Sequence, residues 1–220
     1  MTEPRVIAII GGTGAEGSGL AVRWANKGHK VVIGSRDSQK AKETAAKINE
    51  TVGRDLATGD TSDNAVRQAD IVVLTVPFAA QLKTALALQS GLRGKILIDV
   101  TVPLVPPKVS TVQLPPSDSC VVALQAELGP DVRVVSAFQN VSAHKLWDLA
   151  YAIQCDVLVC SDDKQARQEV VALACDAGLR GVEAGPLANS VVAEALTSVL
   201  IWVNRNNKIA DAGITITGLG

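Results

Sequence analysis

The chain has 220 residues, 47% of them hydrophobic, which suits one α/β domain with a smaller appended unit. Its net charge is −1 and aromatic residues make up only 3%, which argues against nucleic acid as the main partner. Four cysteines without a C-x-x-C pair, and two histidines, favour neither a zinc site nor a disulfide framework. We expect buried thiols and, since no signal peptide precedes the first apolar run, a cytoplasmic protein.

The opening stretch predicts a strand, a glycine-rich turn, a helix and a second strand. An apolar run at residues 6–10 stops at a glycine cluster, and a helical pattern over residues 14–27 ends at Gly28. A second apolar run follows at residues 31–33. This order and these lengths are typical of the first half of a dinucleotide-binding fold.

The glycines of this turn form a G-x-G-x-x-G pattern at Gly12, Gly14 and Gly17. Such glycines permit a tight turn, close approach of a pyrophosphate and close packing of helix and strand. The helix N-terminus would present backbone N–H groups to an anion. The predicted phosphate-binding residues are Thr13, Gly14, Ala15 and Glu16.

The end of the second strand indicates which dinucleotide binds. NAD sites usually place a carboxylate there, but this chain has Ser35 and Arg36, with Lys40 four residues on. A hydroxyl and two cations suit a 2′-phosphate, so we predict NADP(H) at these three residues. Asp37 adjoins them, and its carboxylate would oppose a phosphate.

The following segments alternate between strand and helix through about residue 137. We predict helices at 38–50, 61–68 (capped by Thr61 or Ser62), 79–88 and 117–128, strands at 55–58, 70–76, 95–99 and 132–137, and a proline-rich loop at 102–116. The pattern predicts an α/β fold, a Rossmann-type doubly wound, mostly parallel sheet. We assign residues 1–148 to an NADP-binding Rossmann domain.

Residues 149–220 are predicted to form a small C-terminal α/β unit that caps the site or mediates dimerisation. Strands are expected at 156–160 and 180–183, a helix at 164–177, and a buried apolar helix at 186–203 that is too polar to span a membrane. The apolar tail, 214–220, is expected to dock against the body of the protein or across a dimer interface.

Candidate proton-transfer groups are few. His29 precedes the second strand and is expected to face solvent, while His144 is expected in a solvated loop and Asp99 to cap a turn. The tryptophans are expected in the core or an interface. We therefore assign no catalytic residue and no metal ligand. Hydride transfer between two ring systems needs orientation more than acid–base help, so this scarcity favours a ring acceptor.

With these residues in view, the chain resembles the NADPH-dependent coenzyme F420 reductases, also called F420H2:NADP+ oxidoreductases, over nearly its whole length. The motifs are GGTGAEGSGLA (11–21), GHKVVIGSR (28–36), VLTVPF (73–78), VVSAF (134–138), AGPLANS (184–190) and ITITGL (214–219). The resemblance implies direct hydride transfer between NADP(H) and the deazaflavin coenzyme F420. It places the nicotinamide near Val76, Val102 and Ala143, and the deazaflavin near Gln139, Val141 and Leu187.

Two alternatives remain open at this point. Family members often carry histidine after the VVSA strand, where this chain has Gln139 and Asn140, although Gln139 can still donate to a ring carbonyl. This departure motivates the first alternative, an NADPH-dependent reductase whose acceptor is a flavin, an imine or a ferric chelate. The second alternative is a non-catalytic NADP(H)-sensing protein. A homodimer is expected in each case.

Overall fold

The computed structural model describes residues 3–219. Its strands are β1 (Val6–Ile10), β2 (Lys30–Ser35), β3 (Ala57–Thr61), β4 (Ile71–Leu74), β5 (Ile96–Asp99), β6 (Arg133–Ser136), β7 (Asp156–Val159) and β8 (Arg180–Glu183). The α-helices are α1 (Ala15–Lys27), α2 (Ser38–Val52), α3 (Ser62–Gln68), α4 (Phe78–Leu92), α5 (Cys120–Leu128), α6 (Lys164–Asp176) and α7 (Ser190–Asn207). Two 3-10 turns lie at Ala143–Lys145 and Leu187–Asn189.

The first six strands form one parallel sheet in the order β3-β2-β1-β4-β5-β6. The direction of winding therefore reverses between β1 and β4, which confirms the predicted doubly wound Rossmann-type sheet. In such sheets the crevice at the carboxyl ends of the strands flanking this switch point binds the ligand. The topology alone thus points to the loops that follow β1 and β4.

Helix boundaries follow local capping chemistry. Gly28 ends α1 in the left-handed conformation, with φ of 110°, as the sequence predicts. Thr61 caps α3 by accepting from the N–H of Asn64, again as predicted. The other N-terminal side-chain caps are Asp37 on α2, Ser119 on α5 and Asp163 on α6.

Both faces of the sheet are covered, which explains the continuous apolar runs of the strands. Along β1, Ile7 and Ile9 lie in one core cluster, and Ala8 and Ile10 lie in another on the opposite face. The first cluster continues into β7 and α6, so one core crosses the domain boundary expected near residue 148.

The C-terminal segment is fastened to the main sheet at several points. Strands β7 and β8 pair in parallel, and an isolated antiparallel bridge joins Ser136 at the end of β6 to Cys160. The tail docks on β7, because the N–H of Asp156 donates to the carbonyl of Ile214 at 2.8 Å. The last residue of the predicted tail, at position 220, lies outside the described residues.

Four expectations need correction. The strand expected at 55–58 begins at Ala57, because Asn49 at the end of α2 accepts from the N–H groups of Leu56 and Ala57 and holds the preceding turn against the helix. His29 is 2% exposed, not solvent-facing, since it accepts from the N–H of Arg5 and its Nε2 lies 3.1 Å from Asp176.

Cys175 is exposed, whereas the three other thiols are buried as expected.

Helix α7 is buried on one face only: Val192, Val199 and Trp202 are 59%, 45% and 60% exposed. Length and composition would allow the segment Leu187–Asn207 to cross a membrane, which is weak evidence because core helices meet the same test. Its polar residues Ser190, Glu194 and Ser198 are buried against the protein.

Candidate nucleotide and acceptor sites

The glycine-rich loop lies tightly against the ends of β1 and β4. A Cβ added to Gly12 would meet the carbonyl oxygen of Ile9 at 2.7 Å, and one added to Gly17 would meet Oγ1 of Thr75 at 2.5 Å. Gly11 has a φ of 81°, which disfavours any side chain there. The loop therefore requires glycine for its own packing, before any ligand is considered.

The N-terminus of α1 is open to an anion, whereas that of α2 is closed. Gly14 caps α1 without a side-chain hydrogen bond, which leaves the first N–H groups of the helix available. In α2, Asp37 accepts from the N–H groups of Gln39 and Lys40. The carboxylate of Asp37 thus caps α2, and α1 has the uncapped N-terminus at which the sequence predicts phosphate binding.

A cavity of about 370 Å³ lies at the switch point of the sheet. It is lined by Ile10, Gly11, Thr13, Gly14, Ser35, Arg36, Ser62, Thr75, Val76, Pro77, Ala80 and Thr84. Five of the predicted site residues, from the glycine loop, the end of β2 and the end of β4, are therefore brought together. Ser62, Thr75 and Thr84 add hydroxyl groups that the sequence did not single out.

The predicted 2′-phosphate residues lie at the β2 side of this first cavity. Ser35 is half-buried, and its Oγ accepts from the N–H of Asp37 at 3.2 Å. Arg36 is exposed and lines the cavity, while Lys40 is exposed in the first turn of α2, outside the lining. The two cations are free of salt bridges among residues 3–219, so both remain available to a phosphate.

A second cavity, of about 390 Å³, lies beyond the end of β6. Three predicted residues, Gln139, Val141 and Ala143, line it together with Thr197 and Leu200 of α7. Phe138, which precedes them, has a φ of 73° and packs edge-on against Trp24 at 5.8 Å. A positive φ is uncommon for a bulky residue and is found mainly where the surrounding structure enforces it.

Gln139 is held by its neighbours in one orientation. Its Nε2 donates to the carbonyl of Asp99 and to Oγ of Ser136, both at 2.9 Å. Both amide hydrogens are therefore used, and the donor role expected from the sequence is not available in this conformation. Its Oε1 is buried and has no hydrogen-bond partner within the described residues.

Four other predicted residues line neither of these two cavities. Ala15 is exposed and Glu16 half-buried in the first turn of α1, and Val102 is half-buried in the loop after β5. Leu187 is 2% exposed, and its side chain belongs to the core cluster that contains Leu74.

Two carboxyl groups near these cavities have raised pKa values. Asp99 is fully buried at the end of β5, and burial raises its pKa to about 6 although Thr101 and Gln81 hydrogen-bond it. Because the N–H of Thr101 donates to Oδ1 at 2.9 Å, the predicted role of Asp99 as a turn cap is confirmed. Burial and, second, the charge of Asp99 raise the pKa of Glu16 to about 8.

Comparison with known proteins identifies the family. The model of the family "NADP oxidoreductase coenzyme F420-dependent" matches residues 6–103. A protein of Methanothermobacter thermautotrophicus named F420-dependent NADP reductase is 40% identical, covering 97% of this chain and 95% of its own. The chain belongs to the F420-dependent NADP reductase family.

Other relatives agree with that membership. An F420-dependent NADP reductase of Methanocaldococcus jannaschii is 38% identical, covering 97% of this chain and 98% of its own. Among solved structures, a hypothetical protein from Sinorhizobium meliloti matches with a TM-score of 0.68 at 22% identity, covering 86% of this chain and 88% of its own. The structural neighbour supports the fold, while the two reductases support the family.

Sequence reasoning missed a buried polar cluster that joins α7 of this reductase-family fold to the N-terminus of α5. Glu194 of α7 is 1% exposed and accepts from Oγ of Ser119 at 2.6 Å and from the N–H of Cys120 at 2.9 Å. It therefore caps α5, which packs beside Asp99. The available signal was a lone carboxylate within the apolar stretch of α7, since such a group is buried only where it finds partners.

Within residues 3–219 the reductase fold holds no group of three or more potential metal ligands. His144 is exposed in the 3-10 turn beside the second cavity.

Proposed function

We propose that this chain transfers a hydride directly between NADP(H) and the deazaflavin coenzyme F420. Near-complete alignment with proteins named F420-dependent NADP reductase carries the proposal. The residues present also fit both ligands. The open end of α1 and the crowded glycine loop suit a pyrophosphate, and the second cavity beside Gln139, Val141 and Ala143 offers space for a planar ring system.

The nucleotide would be held along the first cavity. The N–H groups of Thr13, Ala15 and Glu16 would bind the pyrophosphate, while the N–H of Gly14 donates to the carbonyl of Gly11 at 2.9 Å and Gly14 gives the pyrophosphate room to approach. Ser35, Arg36 and Lys40 would hold the 2′-phosphate. The guanidinium and the ammonium carry the opposite charge to the phosphate, and the Ser35 hydroxyl, whose oxygen accepts from the N–H of Asp37, can donate its hydrogen to it. Val76 and Val102 would border the nicotinamide.

The acceptor would lie in the second cavity. Gln139 and Val141 follow the end of β6 and line this cavity together with Ala143, which would border the nicotinamide as well. Leu187 would contribute indirectly, by packing behind the residues that line the site. When bound, NADP(H) and F420 supply the hydride donor and acceptor, and the chain supplies proximity and exclusion of water.

The test is an anaerobic mixture of protein, NADPH and oxidised F420, followed at the visible absorption band of the deazaflavin. We expect the band to bleach as NADPH is consumed, in proportion one to one. NADPH consumption by a flavin, an imine or a ferric chelate without bleaching of F420 would identify a different acceptor. Tight NADPH binding without oxidation by any of these acceptors would identify a sensing protein.

We further infer a homodimer formed through the exposed face of α7. Val192, Val199 and Trp202 leave an apolar surface on this helix. Sedimentation velocity should show a dimer for the wild type and a shift toward monomer for Trp202→Glu. A monomeric wild type at working concentration would contradict this inference.

Two organisational features complete the proposal. We infer that residues 1–148 bind NADP and that residues 149–220 cap the acceptor side. The four cysteines, all free, are consistent with a reducing cytoplasm as the site of action. The net charge of −1 and the scarce aromatic residues support small molecules, and neither nucleic acid nor membrane, as partners.

A further inference from the structure

The turn that follows β6 carries two neighbouring amides, and these amides contact different parts of the fold. The N–H of Val141 donates to the carbonyl of Phe138 at 3.1 Å, which places Gln139 and Asn140 at the centre of this turn. The side chain of Gln139 is bonded to the ends of β5 and β6. The side chain of Asn140 instead contacts α7, because its Oδ1 accepts from Oγ1 of Thr197 at 3.3 Å. The two amides are therefore available for different roles.

Asn140 is buried and yet has an unused donor. The residue is 6% exposed, and its Nδ2 has no hydrogen-bond partner within residues 3–219. In that part of the chain, the unpaired side-chain polar atoms that solvent cannot reach are Oε1 of Gln139 and Oγ1 of Thr101, and Nδ2 of Asn140 is not one of them. The amide nitrogen of Asn140 is therefore open to a cavity. A donor left unpaired at so buried a position favours a ligand that accepts from it.

Asn140 lies in the wall of the second cavity. It also lines a neighbouring polar cavity of about 380 Å³, and Ser142 and Ala212 border both cavities. Val141 and Leu200 give the second cavity apolar surface. Sites for small molecules combine such apolar surface with a few polar groups that fix the orientation of the ligand. The position of Asn140 fits that orienting role.

The other polar side chains of the second cavity are less suited to it. Gln139 uses both of its amide hydrogens. The hydroxyl groups of Ser142 and Thr197 each donate to a main-chain carbonyl, at 3.4 Å and 2.9 Å. His144 is exposed and Asn204 is half-buried, so a bond from a ligand to either would replace one to water. Asn140 thus offers the donor that gains most from a ligand.

We propose that Asn140 orients the acceptor: its Nδ2 donates to a ring carbonyl of the deazaflavin, the role that the sequence suggests for Gln139. One ring of a deazaflavin carries two carbonyl groups with an N–H between them, and carbonyl oxygens accept from an amide N–H. Thr197 is a positioning residue, because its contact with Oδ1 holds the amide of Asn140. The inference rests on the proposed function, since it requires the deazaflavin to occupy the second cavity.

The first test is the dissociation constant of oxidised F420, measured by titration at its visible band. Asn140→Leu keeps the size of the side chain and removes the donor, so the constant should rise about three- to tenfold, the usual contribution of one hydrogen bond. The dissociation constant of NADPH is the internal control. It should not change, because Asn140 does not line the first cavity.

Infrared difference spectra of bound F420 give a readout that a purely structural role would not move. A hydrogen bond weakens the C=O bond, so the carbonyl stretch should lie at higher wavenumber in Asn140→Leu than in the wild type. Asn140→Asp keeps the shape and the Oδ1 contact with Thr197 but offers no N–H, and it should show the same shift even if the leucine variant folds poorly. Thr197→Val should also shift the stretch, and Thr197→Ser, which keeps the hydroxyl, should restore it.

The outcomes separate the two proposals. If the wild type binds F420 and the Asn140 variants leave the carbonyl stretch where it is, Asn140 is not the donor and the proposed function stands. That conclusion holds even where the F420 constant rises, because such a rise would come from packing alone. If the wild type does not bind F420, the proposed function is overturned and this inference with it.

Discussion

At the scale of single residues, the choice of nucleotide depends on few contacts. Arg36 is exposed at the first cavity and has no salt bridge among the described residues, so its guanidinium is available to pair with a phosphate. Arg36→Ala should weaken NADPH binding by about 1.5–3 kcal/mol, the usual contribution of a charge-assisted hydrogen bond. Fluorescence titration measures it. The affinity for NADH should not change, and an equal loss for both nucleotides would contradict a contact with the 2′-phosphate.

Substitutions at two glycines of the loop should distinguish an effect on stability from an effect on nucleotide binding. A Cβ on Gly17 would lie 2.8 Å from the Cα of Gly12, whereas one on Gly14 would meet nothing closer than 3.3 Å. Gly17→Ala should therefore destabilise the protein by about 1–3 kcal/mol through overpacking. Gly14→Ala should keep the wild-type melting temperature but lose NADPH affinity, since its methyl group occupies the approach of the pyrophosphate. Thermal unfolding and titration of the pair check this, and equal melting temperatures would contradict it.

Single residues of the site also differ in whether the sequence could predict them. The glycine spacing and the Ser35–Arg36 pair predicted the glycine-loop side and the β2 side of the first cavity, because those residues are neighbours along the chain. The contacts of Glu194 with Ser119 and Cys120 could not be read in this way, since no local pattern shows that residues far apart along the chain meet in the fold.

At the scale of secondary structure, the buried carboxylate of Glu194 joins α7 to the N-terminus of α5. Glu194→Gln replaces one acceptor oxygen with a donor, opposite N–H and O–H groups that both donate to it. It should lower the free energy of unfolding by about 1–3 kcal/mol. Glu127→Gln, at an exposed position of α5, is the control and should change it by less than about 0.5 kcal/mol. Chemical denaturation of both variants tests the difference, and similar values would rule out the cap.

Elements with strong local signals were predicted well. Helices with a polar cap, such as α3 behind Thr61, followed from the sequence because the cap and the helix are neighbours. The expected start of β3 was wrong, because a side chain of the preceding helix, Asn49, fixes the first residues that can pair. The half-exposed α7 was also wrong, since composition shows how apolar a helix is but not which faces find partners.

At the scale of the whole molecule, Arg23 of α1 joins the two parts of the chain. Its buried guanidinium donates to the carbonyl groups of Lys145, Leu146, Asp148, Tyr151 and Ala177. Arg23→Lys leaves most of these acceptors unpaired and should cost about 3 kcal/mol of stability. Arg67→Lys is the exposed control, with an expected change below about 0.5 kcal/mol. Chemical denaturation decides, and equal effects would mean that Arg23 does not link the parts.

Acid should release the tail. The hydrogen bonds of Arg180 hold the pKa of Asp156 below its usual value, and Asp156 also accepts from the N–H of Ile216 at 2.6 Å. The stability from this ionised form is present above the unfolded pKa near 4 and is lost as pH falls through the lower folded value. Asp156→Asn should therefore melt below the wild type at pH 7, and the gap should close in acid. Melting curves across pH test it; a constant gap would contradict it.

The hydrogen bonds that hold α7 in place also bear on the route by which a ligand would reach the second cavity. Ser190, Glu194 and Thr197 tie its first turns to α5 and to the carbonyl of Gln139 behind β6. Swinging the helix outward would strip all three of these contacts and expose a carboxylate that the fold keeps dry. The deazaflavin that we propose for the second cavity would therefore enter and leave through the existing opening of that cavity, without displacement of α7.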